Sequence, residues 1–415
     1  MSKRRVVVTG IGPVTPVGAG KDAFWLAVAE GTSGTKKLQE LPGDFPVQSL
    51  RSQIVAQVPS CFFSPAELGS LQARQFLLGR KAMRLAVEDA SLKTTERGPC
   101  GVVLGNAVGG TTPMEATFLA MERGGSLSPE SAPKDLPDQF SFHSLTDEIA
   151  AVVASDGPVL TITTGCTAGL DAIGLAFQLV QSGSMDVAIT GSAEAPITPV
   201  VYAAFDVIGA LSKQNGNPQT ASRPFDRGRD GFVLGEGAAI LVLEEFQHAR
   251  RRQARIYCEI TGYASCSNAY HMTDLPEDGA ALAECMQMVL DDASMRPQEV
   301  DHVNAHGSST PQNDICETNA IKSVLGGHAY NITVNSLKAM VGHALAASNA
   351  IEIAACALSL QAGLVFPTIN LDAPGEGCDL DYVPNTSRRS GARNIVKLSN
   401  GFSGIHSAMV LEQLR

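Results

Sequence analysis

One cysteine and two histidines carry the chemistry available to this sequence. Cys166 stands in Thr163-Thr-Gly-Cys166-Thr-Ala-Gly, directly after the β-branched run Val159 to Thr164 and directly before an apolar stretch of helical pattern from Thr167 to Ser182. The run reads as a buried strand, Gly165 as a tight turn and Gly183 as the stop of the helix. A thiol at such a junction faces the positive end of a helix dipole, which lowers its pKa and makes it a better nucleophile at neutral pH. A buried structural cysteine is the plain alternative, because free Cys is among the most buried residue types.

His306 lies in Asn304-Ala-His306-Gly-Ser-Ser-Thr310, at the carboxyl end of a strand-like run from Val300 to Ala305. Ligands and catalytic groups of open α/β sheets collect at such ends. His343 closes Asn335-Ser-Leu-Lys338-Ala-Met-Val-Gly342-His343, just ahead of a helical run to Ala362. A helix N-terminus favours neutral imidazole, and a neutral ring that donates a proton suits a developing enolate. Asn400-Gly-Phe402-Ser-Gly404 follows another strand. Glycines around one aromatic let backbone N–H groups approach an oxyanion, with an ordinary tight turn as the alternative. Asp314 and Glu317 open a helix as capping charges, unless Glu317 pairs with Lys338. Together, a thiolate that accepts an acyl group and two imidazoles placed for a second thioester carbonyl describe acyl transfer followed by carbon–carbon bond formation.

The elements that must hold these groups alternate strand and helix twice. In the first half, strands are expected over 4–10, 101–105, 159–164, 186–191 and 238–244, with helices over 22–31, 64–92, 113–122, 142–155 and 167–182. Ser64-Pro65 supplies an N-cap and a first-position proline for the second helix. Residues 123–142, rich in Gly, Ser and Pro, read as a surface excursion or lid. In the second half, strands are expected over 255–264, 300–305, 332–336, 394–399 and 407–412, with helices over 277–293, 313–325 and 344–362. That order predicts a largely parallel sheet in each half, duplicated although the halves share little sequence. Gly10-Ile-Gly12 lacks the third glycine and the helix opening of a dinucleotide fingerprint.

The totals agree with this reading. A chain of 415 residues exceeds one ordinary core, and 44% hydrophobic with 18% charged residues is globular composition. No run of about 18 uncharged apolar residues predicts a membrane span. The nine cysteines make no CxxC pair or zinc spacing, so a reduced, cytoplasmic setting without a metal is expected. A net charge of −11 argues against nucleic acid and confines any acidic partner to a local basic patch. Arg74, Arg80, Lys81 and Arg84 form one such patch and Arg250 to Arg255 hold another, both readable as solvated helix faces.

Over essentially its whole length the chain resembles the decarboxylating β-ketoacyl synthases of the thiolase superfamily. The resemblance rests on Arg5-Val-Val-Val-Thr-Gly-Ile-Gly, Thr163-Thr-Gly-Cys166-Thr-Ala-Gly, Ser222-Arg-Pro-Phe-Asp-Arg-Gly-Arg-Asp-Gly-Phe-Val-Leu-Gly-Glu-Gly237, the two histidine motifs, Pro367-Thr-Ile-Asn-Leu and Cys378-Asp-Leu-Asp-Tyr-Val-Pro. Cys266-Ser-Asn-Ala-Tyr-His-Met-Thr273 and Gly191-Ser-Ala-Glu-Ala-Pro-Ile-Thr-Pro bring it nearest to the ketosynthase α subunits of bacterial type II polyketide synthases. This resemblance implies an α/β, thiolase-like duplicated fold layered α-β-α-β-α, with an N-terminal half over 1–250 carrying the nucleophile and a C-terminal half over 251–415 carrying both histidines. It implies that Cys166 holds the growing chain, that His306 and His343 bind malonyl thioester, assist loss of CO2 and stabilise the enolate, and that N–H groups of Cys166 and Phe402 form an oxyanion hole. Phe402 would gate the nucleophile, and Lys338 and Glu317 would order the site. Ser308 and Thr310 would hold the phosphopantetheine arm, His271 and Thr273 would line its entrance, and Val108 would border the acyl pocket. No permanently bound cofactor is implied, since acyl carrier protein brings the phosphopantetheine. The implied partners are that carrier protein and a chain-length factor as heterodimer, or a homodimer if the chain is instead a fatty-acid synthase II. The family pattern Gly-Phe-Gly-Gly followed by Thr-Asn is replaced here by Gly-Phe-Ser403-Gly-Ile-His406, which stiffens the gate loop and changes the polarity beneath it.

Overall fold

The strands of each half lie in the same order, and this repetition places the nucleophile against the histidines. The structure is a computed structural model that describes residues 3–41, 45–68, 73–93, 98–123, 137–138 and 141–414. In the first half the sheet strands are β1 (Val6–Thr15), β2 (Cys100–Gly105), β3 (Val159–Ile162), β4 (Val187–Glu194) and β5 (Gly237–Glu245). In the second they are β6 (Cys258–Ser267), β7 (His302–Asn304), β8 (Thr333–Asn335), β9 (Asn394–Gly401) and β10 (Ile405–Glu412). From the junction outward the halves run β1-β5-β4-β2-β3 and β6-β10-β9-β7-β8, so each places its first, fifth, fourth, second and third strands in turn. They join where β1 and β6 pair antiparallel, with Val6 opposite Ile260 and Val8 opposite Cys258. The expectation of a largely parallel sheet is corrected. Only the outer strands of each half pair parallel, while β1, β5 and β4, and likewise β6, β10 and β9, pair antiparallel.

Five helices complete the frame that bears on the site: α1 (Arg74–Ala90), α2 (Ala168–Ser182), α3 (Ala280–Asp292), α4 (Pro311–Leu325) and α5 (Ala346–Ala362). Helix α1 covers the outer face of the first half, and α3 with α4 covers the second. Helices α2 and α5, each following the third strand of its half, lie between the two halves of the sheet. Both are apolar nearly all round, as buried helices must be. Leu170, Ile173, Phe177 and Val180 of α2 join Ile351, Ile353 and Leu360 of α5 in one central core, while separate clusters fill the outer layers. Burying each such side chain stabilises the fold by about 1.5–3 kcal/mol. The two helices cross with backbones touching: a Cβ on Gly169 would collide with the carbonyl of Ala346. Glycine is the residue that permits so close an approach.

Several boundaries differ from expectation. Strand β1 continues through Gly10-Ile-Gly12-Pro13 to Thr15, because β5 keeps pairing with it across a bulge. Strand β3 is not fully buried, since it forms the edge of the sheet and leaves Leu160 37% exposed. The helix expected over 64–92 is two pieces, Pro65–Leu68 and α1, with Ser64 and Glu67 making a reciprocal cap. The excursion over 123–142 lies mostly outside the described residues. The first basic patch is largely committed to ion pairs, with Arg74 on Glu236, Arg80 on Glu148 and Arg84 on Glu67. No helix among the described residues is long and apolar enough to cross a membrane.

Candidate active site

Cys166 sits in a 3-10 turn, Gly165–Thr167, that leads into α2. Gly165 has φ +66°, the left-handed turn that glycine adopts without strain. The turn is pinned from below. Asp171, in the first turn of α2, accepts hydrogen bonds from the hydroxyls of Thr164 and Thr167 on either side of the cysteine, the latter at 2.8 Å. Its other oxygen accepts from Tyr263 at 2.8 Å and Ser407 at 2.5 Å, so the turn is tied to β6 and β10. From the opposite helix, Asn349 Nδ2 donates to the Cys166 carbonyl at 2.6 Å.

A cleft of about 370 Å³ opens over the sulfur and brings together Cys166, His306, His343 and Phe402. Thr273, Ser308 and Thr310 line the same cleft. The two imidazole rings stand nearly perpendicular, with centroids 5.1 Å apart. His343 Nδ1 lies 3.0 Å from the Ser348 hydroxyl, which itself accepts the N–H of Ala344. Nδ1 of His306 is buried and has no hydrogen-bond partner among the described residues, so its capacity is not spent on them.

Burial holds both imidazoles well below the usual histidine range, and the charges of Lys338 and Lys397 push them further down. The expected neutrality of His343 therefore has a different cause. His343 precedes α5 by more than the cap residue, and the ring is held neutral by desolvation and by the charges of two lysines. The expected low pKa of Cys166 is overturned. Burial pushes the thiol up to about 11, and the N–H groups of Phe402 and Cys166 and the charge of Lys338 only partly offset it. The resting sulfur is thus a protonated thiol, and the same two N–H groups already point at it.

Behind the cleft the alternative of a Lys338–Glu317 pair is not formed. Lys338 Nζ donates to Glu352 at 2.6 Å and to the carbonyl of His306 at 2.8 Å, and Lys397 Nζ lies 2.7 Å from the second oxygen of Glu352. Glu317 accepts the N–H groups of His306 and Gly307, both at 2.6 Å, and so shapes the turn after β7. Its carboxyl is raised to about 7 by burial despite these bonds. Glu352 is a lone charge in an apolar helix and Lys397 a lone charge in an apolar strand. Such isolated charges must find each other when buried, a signal available in the sequence.

The remaining expected residues divide. Ser308 and Thr310 share a 3.0 Å hydroxyl contact at the cleft wall, and Thr310 also caps α4. His271 lies outside the cleft lining. It is exposed, and its Nδ1 accepts the N–H groups of Thr273 and Asp274 at 3.2 and 3.0 Å. Val108 packs in the same apolar cluster as Cys166, Phe205 and Leu345. Glu194 is buried and accepts the N–H of Ala107, with the N–H of Val108 also favouring its charged form. Among the described residues no group of metal-ligating side chains is present.

Comparison with known proteins matches residues 3–249 to the β-ketoacyl synthase N-terminal domain and 257–372 to the β-ketoacyl synthase C-terminal domain. The chain is 42% identical over 99% of its length to the tetracenomycin polyketide synthase ketoacyl synthase alpha subunit of Streptomyces glaucescens, covering 97% of that protein. It is 38% identical, over the full length of both chains, to the 3-oxoacyl-[acyl-carrier-protein] synthase 2 of Coxiella burnetii. Among solved structures it resembles a type II polyketide ketosynthase in complex with its acyl carrier protein and bound to the hexaketide (TM-score 0.93, 41% identity, full coverage of both chains). It also resembles the ishigamide ketosynthase/chain length factor (TM-score 0.90, 30% identity, full coverage of both chains).

Proposed function

The chain belongs to the β-ketoacyl synthase family, and we propose that it is the condensing α subunit of a type II polyketide synthase. The observation that carries this is the convergence of Cys166, His306, His343 and the Phe402 N–H on one cleft. Polyketide relatives at up to 44% identity support it over the fatty-acid alternative at 38%.

In this reading an acyl carrier protein presents its phosphopantetheine thioester through the wall formed by Ser308, Thr310 and Thr273. The thiol of Cys166 attacks the carbonyl, its proton passes by way of a neutral imidazole to the carrier sulfur, and the carrier departs as a thiol, leaving an acyl-enzyme thioester and a neutral ring. The N–H groups of Cys166 and Phe402 hold the oxyanion. Burial pushes the resting thiol up to about 11, so a neutral imidazole is needed to take its proton during attack. Malonyl thioester then enters, its carbonyl oxygen facing His306 and His343. Loss of CO2 leaves an enolate whose charge the two imidazoles bear. If the Ser348 hydroxyl donates to His343 Nδ1, the proton of that ring sits on Nε2, toward the cleft. The enolate carbon attacks the acyl carbonyl, the bond to Cys166 Sγ breaks, and the chain leaves two carbons longer.

The cofactor is brought by the carrier protein, and a chain-length factor supplies the second subunit. The exposed edge strand β3, with Leu160 outward and Cys166 just beyond it, supports a partner seated against the nucleophile turn. The units 1–250 and 251–415 are taken as the duplicated halves. The test is intact-protein mass after incubation with acyl carrier protein, with and without the partner subunit. An acyl adduct on wild type and none on Cys166→Ala, with condensation lost, is expected. Continued condensation by Cys166→Ala would refute the reading, and a fully active homodimer with saturated acyl chains would favour the fatty-acid alternative.

A further inference from the structure

The gate loop departs from the family pattern at Ser403 and His406, and both departures have partners. Ser403 holds φ +67°, uncommon for a residue with a side chain, and its N–H donates to the Met272 carbonyl at 2.8 Å. The Gly404 carbonyl accepts the N–H of Asn268 at 2.9 Å, and a Cβ on Gly404 would collide with Asn268 Oδ1. The gate is therefore fastened to the segment 268–273 at the mouth of the cleft.

From the half-buried Asn268 a chain of side chains runs inward, buried from His406 onward. Asn268 Nδ2 donates to His406 Nε2 at 3.1 Å, and His406 Nδ1 donates to Asn400 Oδ1 at 2.9 Å. Asn400 Nδ2 donates to Asn313 Oδ1 at 2.9 Å. Asn313 Nδ2 donates to Glu317 Oε2 at 2.9 Å, and Glu317 holds the N–H groups of His306 and Gly307. Every amide in the chain accepts on one side and donates on the other. One assignment of amide orientations and one imidazole tautomer satisfies all the bonds, and all donate toward the carboxylate. Burial holds the His406 ring down at about 4, so it is neutral at pH 7, the only state that both accepts from Asn268 and donates to Asn400.

We infer that His406 is a positioning residue that couples the Phe402 gate to the His306 turn through Asn400, Asn313 and Glu317. Such a chain ties the state of the gate to the placement of the imidazole that receives malonyl thioester, because neither end can shift without leaving a buried donor or acceptor unpaired. This rests on the proposed role of His306 in the condensing site.

The test uses the complex with its partner subunit and two readouts: acylation of Cys166 by mass, and CO2 release from malonyl-acyl carrier protein. His406→Leu is expected to slow both about tenfold, the scale of one unpaired buried polar group, with KM for the malonyl carrier within about twofold. His406→Gln, which can accept and donate, should recover most of the rate. His406→Leu combined with Asn313→Leu should be no slower than the slower single variant, the mark of two residues on one path. Asn400→Asp deletes the donor to Asn313 without opening a cavity, and its expected loss matches that of His406→Leu if the leucine variants do not fold. Multiplying losses in the double variant, or slowed acylation with CO2 release intact, would overturn the coupling. Condensation by Cys166→Ala would instead overturn the functional reading on which it rests.

Discussion

Lys338→Met separates the electrostatic role of this buried lysine from its structural one. Its ammonium lies 2.6 Å from Glu352 and 2.8 Å from the His306 carbonyl, and Lys397 holds the other Glu352 oxygen at 2.7 Å. Removing Lys338 leaves Glu352 paired with Lys397, so the stability loss should be that of a charged hydrogen bond, about 2 kcal/mol. Glu352→Leu strips both lysines of their partner and should cost about 3–5 kcal/mol, the scale of a broken buried ion pair. The catalytic effect differs in kind. The charge of Lys338 lowers both His306 and His343. At an effective dielectric of about 20, a unit charge about 4 Å from an ionising group is worth about 4 kcal/mol, and the effect falls with distance. Without Lys338 both imidazoles should rise toward the ordinary histidine range. Because the neutral rings are the active form, the acid limb of the pH–rate profile should move upward, so that the loss of rate on acidification sets in at a higher pH than in wild type. CO2 release from malonyl carrier protein between pH 5 and 9, beside urea denaturation, measures both effects. Lys338→Arg should keep the wild-type profile. A Lys338→Met profile that superimposes on wild type after scaling, or an acid limb that moves downward, would refute the electrostatic role.

Two further outcomes follow from the geometry. Asn349→Leu removes the bond to the Cys166 carbonyl; it should cost about 1–3 kcal/mol in urea melts and slow acylation of Cys166 while CO2 release holds. Glu194 is raised by burial to about 8 in the folded protein from an ordinary 4.5. The folded chain therefore holds this proton more tightly than the unfolded chain, so its contribution is full below pH 4.5 and is lost as pH climbs to about 8, by an amount on the order of a few kcal/mol. Melting temperature should fall over that window in wild type and fall less in Glu194→Gln, and an unchanged slope in the variant would refute the assignment.

The sequence by itself determined the pieces. A strand, a glycine turn and an apolar helix fix Cys166 at a junction, and each histidine stands near glycine after a strand, because these signals are local and rest on backbone propensity. The alternation of elements foretold a duplicated α/β fold, and the motifs foretold the family. Tertiary structure decided what those residues experience. Whether the thiol of Cys166 is acidic depends on how deeply the surrounding layers bury it, and burial outweighs the N–H groups and the lysine charge that favour the thiolate. Lys338 chose Glu352 and left Glu317 to hold the backbone of the His306 turn, since the partner of a buried charge is set by which helix crosses beneath it. The antiparallel centre of the sheet and the chain from His406 to Glu317 join residues far apart in sequence, and no local pattern encodes a contact made only when distant segments of one half pack together.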